Sequence, residues 1–226
     1  MERFQTAVLY DLTHTRAAEL LRKYPYPWQI LDELKDALYA MGAALPETEF
    51  DQPQPGVWIA KDAVVAKSAF LAPPCIIDHG AQIRHCAFLR GGVLIGKNSV
   101  VGNSTEVKNA VVFDNVQIPH FNYVGDSVLG YRSHLGAGAV TSNVKSDKTP
   151  VTILADGTKY PTGRKKFGAM VGDGTEVGCN SVLCPGTVIG KNATVYPLSR
   201  VRGYLPANSI FKDPEHIVPK TNQKEG

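Results

Sequence analysis

Residues 57–112 read VWIAKDAVVAKSAFLAPPCIIDHGAQIRHCAFLRGGVLIGKNSVVGNSTEVKNAVV. Stepping by six from Ile59 meets Val65, Leu71, Ile77, Ile83, Leu89, Ile95, Val101 and Val107, aliphatic at every step. Four positions beyond each stand Ala63, Ala69, Cys75, Ala81, Ala87, Val93, Ser99, Thr105 and Val111, all small or β-branched. A six-residue period scatters apolar residues around an α-helix and leaves it without an apolar face, so the repeat is not helical. It fits a solenoid in which each hexad is one short strand and a turn. Three hexads close a triangular coil with the aliphatic residue inward, and coils stack at the strand spacing of about 4.8 Å. Residues eighteen apart then lie above one another. The predicted class is an all-β solenoid, a parallel β-helix of hexapeptide repeats spanning residues 56–206.

Over residues 108–134 the register slips by one or two single residues, with Ile118, Val124, Leu129 and Leu135 resuming it. It is strict again at Val171, Val177, Leu183, Ile189, Val195 and Val201. Residues 144–168 leave the hexads, and Val151 to Leu154 with the Asp156-Gly157 turn predict a hairpin thrown outward, a common kind of site wall. Residues 1–55 carry helical spacing instead, with Thr15 capping one helix and a second running from about Trp28 to Met41 behind Pro27. They are expected to form a short helical cap over the open first coil. Residues 207–226 read as a polar tail lying on the surface or against a neighbouring subunit.

At 226 residues and 43% hydrophobic content, the chain has room for one large domain and a small appendage. A net charge of +3 is too mild for a nucleic-acid binder, so small anionic ligands fit better. The N-terminus lacks the uninterrupted apolar stretch of a signal peptide and no run approaches membrane-spanning length, so a cytoplasmic protein without membrane contact is expected. Cys75, Cys86, Cys179 and Cys184 have no CxxC spacing and read as free thiols. His79, His85 and His120 share one outward hexad position, and three imidazoles at a subunit interface could hold zinc, as in β-helical carbonic anhydrases. His79 and His85 fall on adjacent faces of the coil, however, and no metal is expected.

Arg90 and Lys108 each follow an inward aliphatic residue and stand eighteen apart, on one face and one coil apart. Stacked cations with no carboxylate between them repel unless an anion binds, so the pair reads as a phosphate clamp.

Downstream, VKNAVVFDNVQIPHFNYVGDSVLGYRSHLGAGAVTSN (residues 107–143) gathers His120, Tyr123, Asp126 and Asn143 around a Gly-Ala-Gly run at 136–138. The Arg of LR-G, the Lys of VKN eighteen later, PHFxYxGD, LGAG, the Asn and VGxNxxLxPGTxIG at 177–190 resemble one family. It is the acetyltransferase domain of the bifunctional glucosamine-1-phosphate acetyltransferase/N-acetylglucosamine-1-phosphate uridylyltransferase, and the resemblance covers roughly residues 57–205. It implies a left-handed coil, acetyl-CoA as co-substrate and a homotrimer with sites between subunits. By the same resemblance Arg90 and Lys108 hold the sugar's phosphate, His120 is the general base, and Tyr123 and Asn143 orient the amino sugar. His134 stands where the family has a sugar-binding Asn, and Val144 where it has a Tyr. Ala137 lines the pantetheine channel, with Cys179 and Pro197 further cofactor-side positions. Residues 1–55 offer no Gly-rich nucleotide-binding turn, so no uridylyltransferase half is expected. The implied function is acetyl transfer from acetyl-CoA to an amino-sugar 1-phosphate. A non-catalytic β-helix that binds a nucleotide sugar or partners a nucleotidyltransferase is the alternative.

Overall fold

The computed structural model describes residues 1–221, and from residue 57 onward it is a left-handed parallel β-helix. Strands eighteen residues apart pair in parallel, as in Ile59↔Ile77 and Ile77↔Ile95, so the aliphatic residue of each hexad stacks on its counterpart. Three faces result. The first holds Cys75–Ile77, Val93–Ile95 and Thr187–Ile189; the second Gln82–Ile83, Gln117–His120 and His134–Leu135; the third Phe88–Leu89, Val140–Thr141 and Val182–Leu183. The inward column, including Ile83, Leu89, Ile95, Val101, Val107, Ile118 and Leu135, is fully or almost fully buried.

The register slip resolves into two steps of five residues, Val107 to Val112 and Val124 to Leu129. Pairs across this region are seventeen apart, as in Val107↔Val124 and Ile118↔Val101. In both places the third face runs into the first through one bent strand, Glu106–Val112 and Tyr123–Leu129, instead of breaking at a turn. The bends sit at Asn109 (φ 46°) and Asp126 (φ 49°), residue types that tolerate the left-handed region.

The N-terminal segment is helical in part, with helices Thr6–Leu9, Ala18–Arg22 and Leu34–Ala43, but it lies along the flank rather than over the first coil. Phe4 packs on Tyr204 and Tyr160, the Asp11 N–H donates to Asp173, the His14 ring stacks on Tyr131, and Arg16 grips Asp78 through two hydrogen bonds of 2.6 and 2.9 Å. The reason is on the first face. Its outward positions are apolar as well, and Trp58, Ile76, Leu94, Val111, Val128, Met170 and Val188 are all buried. Covering each contributes about 1.5–3 kcal/mol, which a lid at the end of the stack would forgo. The edge of the first coil is met instead by an antiparallel strand, Phe50–Gln54, paired with Val57–Ala60.

Residues 152–161 form an antiparallel hairpin turning at Asp156 and Gly157, both at positive φ. It folds back onto the solenoid instead of projecting from it. Val151 and Ile153 are buried, and the hairpin backbone crowds Gly186 and Gly203 so closely that a Cβ at either would collide with it. Of the tail, Ser209–Asp213 and His216–Pro219 continue the second face as an antiparallel pair, because Phe211 stacks on Val195 as one more inward residue. The last five residues of the expected tail, 222–226, lie outside the described residues.

Candidate active site

His120 ends a strand of the second face, at the corner leading to the third. Asn122 builds that corner. Its buried side chain donates to Gly136 O (2.8 Å) and Ala139 O (3.0 Å) and accepts from the His120 N–H (3.0 Å), while Phe121 turns the chain at φ 53°. The backbone under His120 is thereby fixed, and among the described residues no side-chain hydrogen bond holds the exposed imidazole itself.

Ala137, Cys179 and Pro197 occupy the same corner in the succeeding coils. Gly138 N–H donates to His120 O (3.0 Å), Asn180 N–H to Ala137 O (2.8 Å) and Leu198 N–H to Cys179 O (2.9 Å), a ladder parallel to the solenoid axis. The close stacking depends on glycine, since a Cβ on Gly136 would stand 2.7 Å from the Cys179 nitrogen. Gly136 and Gly138 spend their N–H groups inside the coil, whereas those of Ala137 and Cys179 find no acceptor among the described residues. Two outward amides thus follow His120 up the same edge.

Tyr123 lies on the third face, three residues beyond His120 and past the turn at Phe121. Asn143 Nδ2 donates to its phenol oxygen (3.2 Å), leaving the O–H free to donate outward. Burial, followed by the charges of Asp126 and Glu106, raises the Tyr123 pKa, so the phenol stays protonated and a donor. At the far margin of this face Asp126, 3% exposed, accepts from Asn109 Nδ2 (2.8 Å) and Asn143 Nδ2 (2.5 Å), with Lys108 Nζ 3.7 Å away.

Arg90 and Lys108 do stack on one face, but the expected absence of carboxylates is corrected. Arg90 Nη1 donates to Glu106 Oε1 at 2.6 Å, and Asp126 stands beside Lys108. The first pairing arises because Glu106 sits one coil above Phe88, diagonal to Arg90; the second because Asp126 sits above Asn109 at the bend, one residue from the position over Lys108. Arg90, Lys108, Tyr123 and Asn143 therefore share the third face and its far bend, with His120, Ala137, Cys179 and Pro197 along the near edge. Asn109, Asp126 and Asn122 had no expected role. The seventeen-residue spacing of 109, 126 and 143 was the signal that would have joined the first two to Asn143.

His134 is not on this face. It points outward from the second, its Nδ1 2.8 Å from Glu176 Oε2. Glu176 raises the imidazole's pKa above the ordinary 6.5 against a smaller opposing effect of burial. The pair's stabilisation is therefore complete below the unfolded value and is lost as pH rises through the higher folded one. An NMR titration is expected to place the His134 midpoint above 6.5 and Glu176→Gln to bring it down; an unshifted midpoint in the parent chain would break the assignment.

His79 sits between Asp62 and Glu49, and His85 at another corner beside Ser68. No group of three or more His, Cys, Asp or Glu among the described residues is placed to hold a metal ion. No helix there is long and apolar enough to cross a membrane. All four cysteines are unpaired.

The family model for the GMPPB C-terminal domain matches residues 71–161. The bifunctional protein GlmU of Methanococcus vannielii is 35% identical over 143 residues, covering 63% of this chain and 34% of that protein. A bifunctional sugar-1-phosphate nucleotidylyltransferase/acetyltransferase of Sulfurisphaera tokodaii is 32% identical over 189 residues, 82% of this chain and 47% of that one. The chain thus spans less than half the length of these relatives. Among solved structures, the acetyltransferase domain of PglB from Neisseria gonorrhoeae FA1090 matches 85% of this chain and 66% of its own at 14% identity and a TM-score of 0.36, a likeness too loose to bear on activity. The chain is a homologue of the GlmU-type bifunctional proteins over their C-terminal, hexapeptide-repeat region.

Proposed function

We propose that this chain is an acetyl-CoA-dependent N-acetyltransferase acting on an amino-sugar 1-phosphate of the glucosamine 1-phosphate kind, in nucleotide-sugar biosynthesis, as a cytoplasmic homotrimer with sites between subunits. The observation that carries the proposal is the edge on which His120 lies directly below the unpaired amides of Ala137 and Cys179, beside a face bearing Arg90, Lys108, Tyr123 and Asn143. Pantetheine would run along the edge past Ala137, Cys179 and Pro197, with the sugar on the third face. The substrate ammonium loses a first proton to solvent by way of His120, the freed amine attacks the thioester carbonyl carbon, and His120 takes the second proton from the nitrogen as the C–N bond forms. The oxygen that gains charge is met by the Ala137 N–H. When the C–S bond breaks, the proton held by His120 passes to the leaving thiolate, which restores the neutral imidazole. Tyr123 and Asn143 hold the sugar, Arg90 and Lys108 its phosphate, and His134 enters from the neighbouring subunit. Positioning of the two substrates supplies much of the rate, and no acyl-enzyme is required.

A second reading, a non-catalytic β-helix that binds a nucleotide sugar or partners a nucleotidyltransferase, draws on the Arg90–Glu106 pair, which partly neutralises the clamp. Thiol release from acetyl-CoA across a panel of amino-sugar 1-phosphates, free and nucleotide-linked, separates the two. The expected result is one thiol per N-acetylated sugar; silence across the panel would leave the binding reading.

A further inference from the structure

Three segments far apart in sequence close a cleft of about 510 Å³ over the bend formed by Asn109 and Asp126. Lys35 comes from the start of helix Leu34–Ala43, Lys108 from the third face, and Arg164, Lys165 and Lys166 from the chain that follows the hairpin. Two carboxylates oppose these five cations, and both are engaged. Asp126 accepts from two side-chain amides, and Asp32 lies 2.6 Å from Nη1 of Arg164, whose side chain is only 10% exposed. Lys35, Lys165 and Lys166 are exposed, and no ion pair among the described residues reaches any of them. Gathering like charges in one cleft without counter-charge is unfavourable, and a bound polyanion removes that cost.

The cleft opens on Lys108, the residue that the proposed acceptor site uses for the sugar's phosphate. A second phosphate joined to that one falls among Lys35, Lys165 and Lys166, and the volume lies within the usual range for a whole small-molecule site. We infer that this cleft binds the diphosphate of a nucleoside diphosphate, so that the acceptor is an amino sugar carried on a nucleoside diphosphate rather than a bare sugar 1-phosphate. The inference rests on the acceptor site proposed above. Coenzyme A also carries a diphosphate, but the edge assigned to it bounds the opposite side of the third face.

Calorimetric titration of the full chain with inorganic pyrophosphate, UDP, orthophosphate and CoA tests this, alongside a variant combining Lys35→Ala, Lys165→Ala and Lys166→Ala. All three side chains are exposed, so the fold should survive, and Lys166→Glu alone serves if it does not. Pyrophosphate and UDP are expected to bind about tenfold or more tighter than orthophosphate and to lose about tenfold or more in the variant, with CoA unchanged. Equal affinity for pyrophosphate and orthophosphate, retention in the variant, or a loss that falls on CoA instead would each overturn it. Binding is read without turnover, so the two proposals fail separately. If no acceptor is acetylated while pyrophosphate binding still responds to the variant, the catalytic reading falls and the cleft stands. If bare glucosamine 1-phosphate is acetylated as fast as its nucleoside-diphosphate form, the cleft's role falls and the catalytic reading stands.

Discussion

Replacing His120 with alanine is expected to lower acetyl transfer by about 10²–10⁴-fold, the usual contribution of a positioned general base. The coil should remain intact. The imidazole is exposed and holds no hydrogen bond among the described residues, and the corner beneath it is secured by the Asn122 side chain and the backbone ladder to Gly138. Thiol release and circular dichroism on the same sample make the check. Turnover within a few-fold of the parent, on a folded variant, would remove His120 from proton transfer.

The substitution Ile83→Asp should abolish folding. Ile83 is 1% exposed, pointing into the coil between Val65 and Val101 on the strands below and above. An aspartate there loses the buried side chain, worth about 2–5 kcal/mol when truncated, and must either hold an unpaired charge in an apolar column or take up a proton to avoid it. Either outcome is comparable to the whole stability of a typical domain, about 5–15 kcal/mol. Gln82→Asp, one residue away and exposed on the outer side of the same strand, should change stability by only about 0.5 kcal/mol. Thermal melts of the two variants measure the contrast. A cooperative, near-parental melt for Ile83→Asp would mean that the inward and outward sets have been exchanged.

The inward column could be read from Ile59 to Val201 because one aliphatic residue per hexad is a local pattern that packing enforces on every coil. The flank could not be read the same way. The line Trp58, Ile76, Leu94, Val111, Val128 was present in the sequence, and a face apolar on both sides announces a cover, but nothing local in the helices names the surface they cover. The site divides similarly. His120, Tyr123 and Asn143 were recognisable as a motif, and the ladder of coil carbonyls explains why Ala137 and Cys179 follow His120. The carboxylates beside Arg90 and Lys108 were legible too, Glu106 eighteen residues above Phe88 and Asp126 seventeen above Asn109, but each flanks its cation diagonally instead of standing in the stack itself. The cationic cleft joins Lys35, Lys108 and Lys166, which no repeat relates, and only the folded chain brings them together.

In a stacked-coil protein each layer touches only the next, so such arrays tend to unravel from their ends one layer at a time. Here the stretch from Phe4 to Arg16 runs from Tyr204 in the final layer to Asp78 near the first, bridging layers that share no surface. Loosening either terminus peels this tether and so withdraws support from the opposite terminus. Melting is therefore expected to be a single cooperative event instead of a stepwise loss of layers.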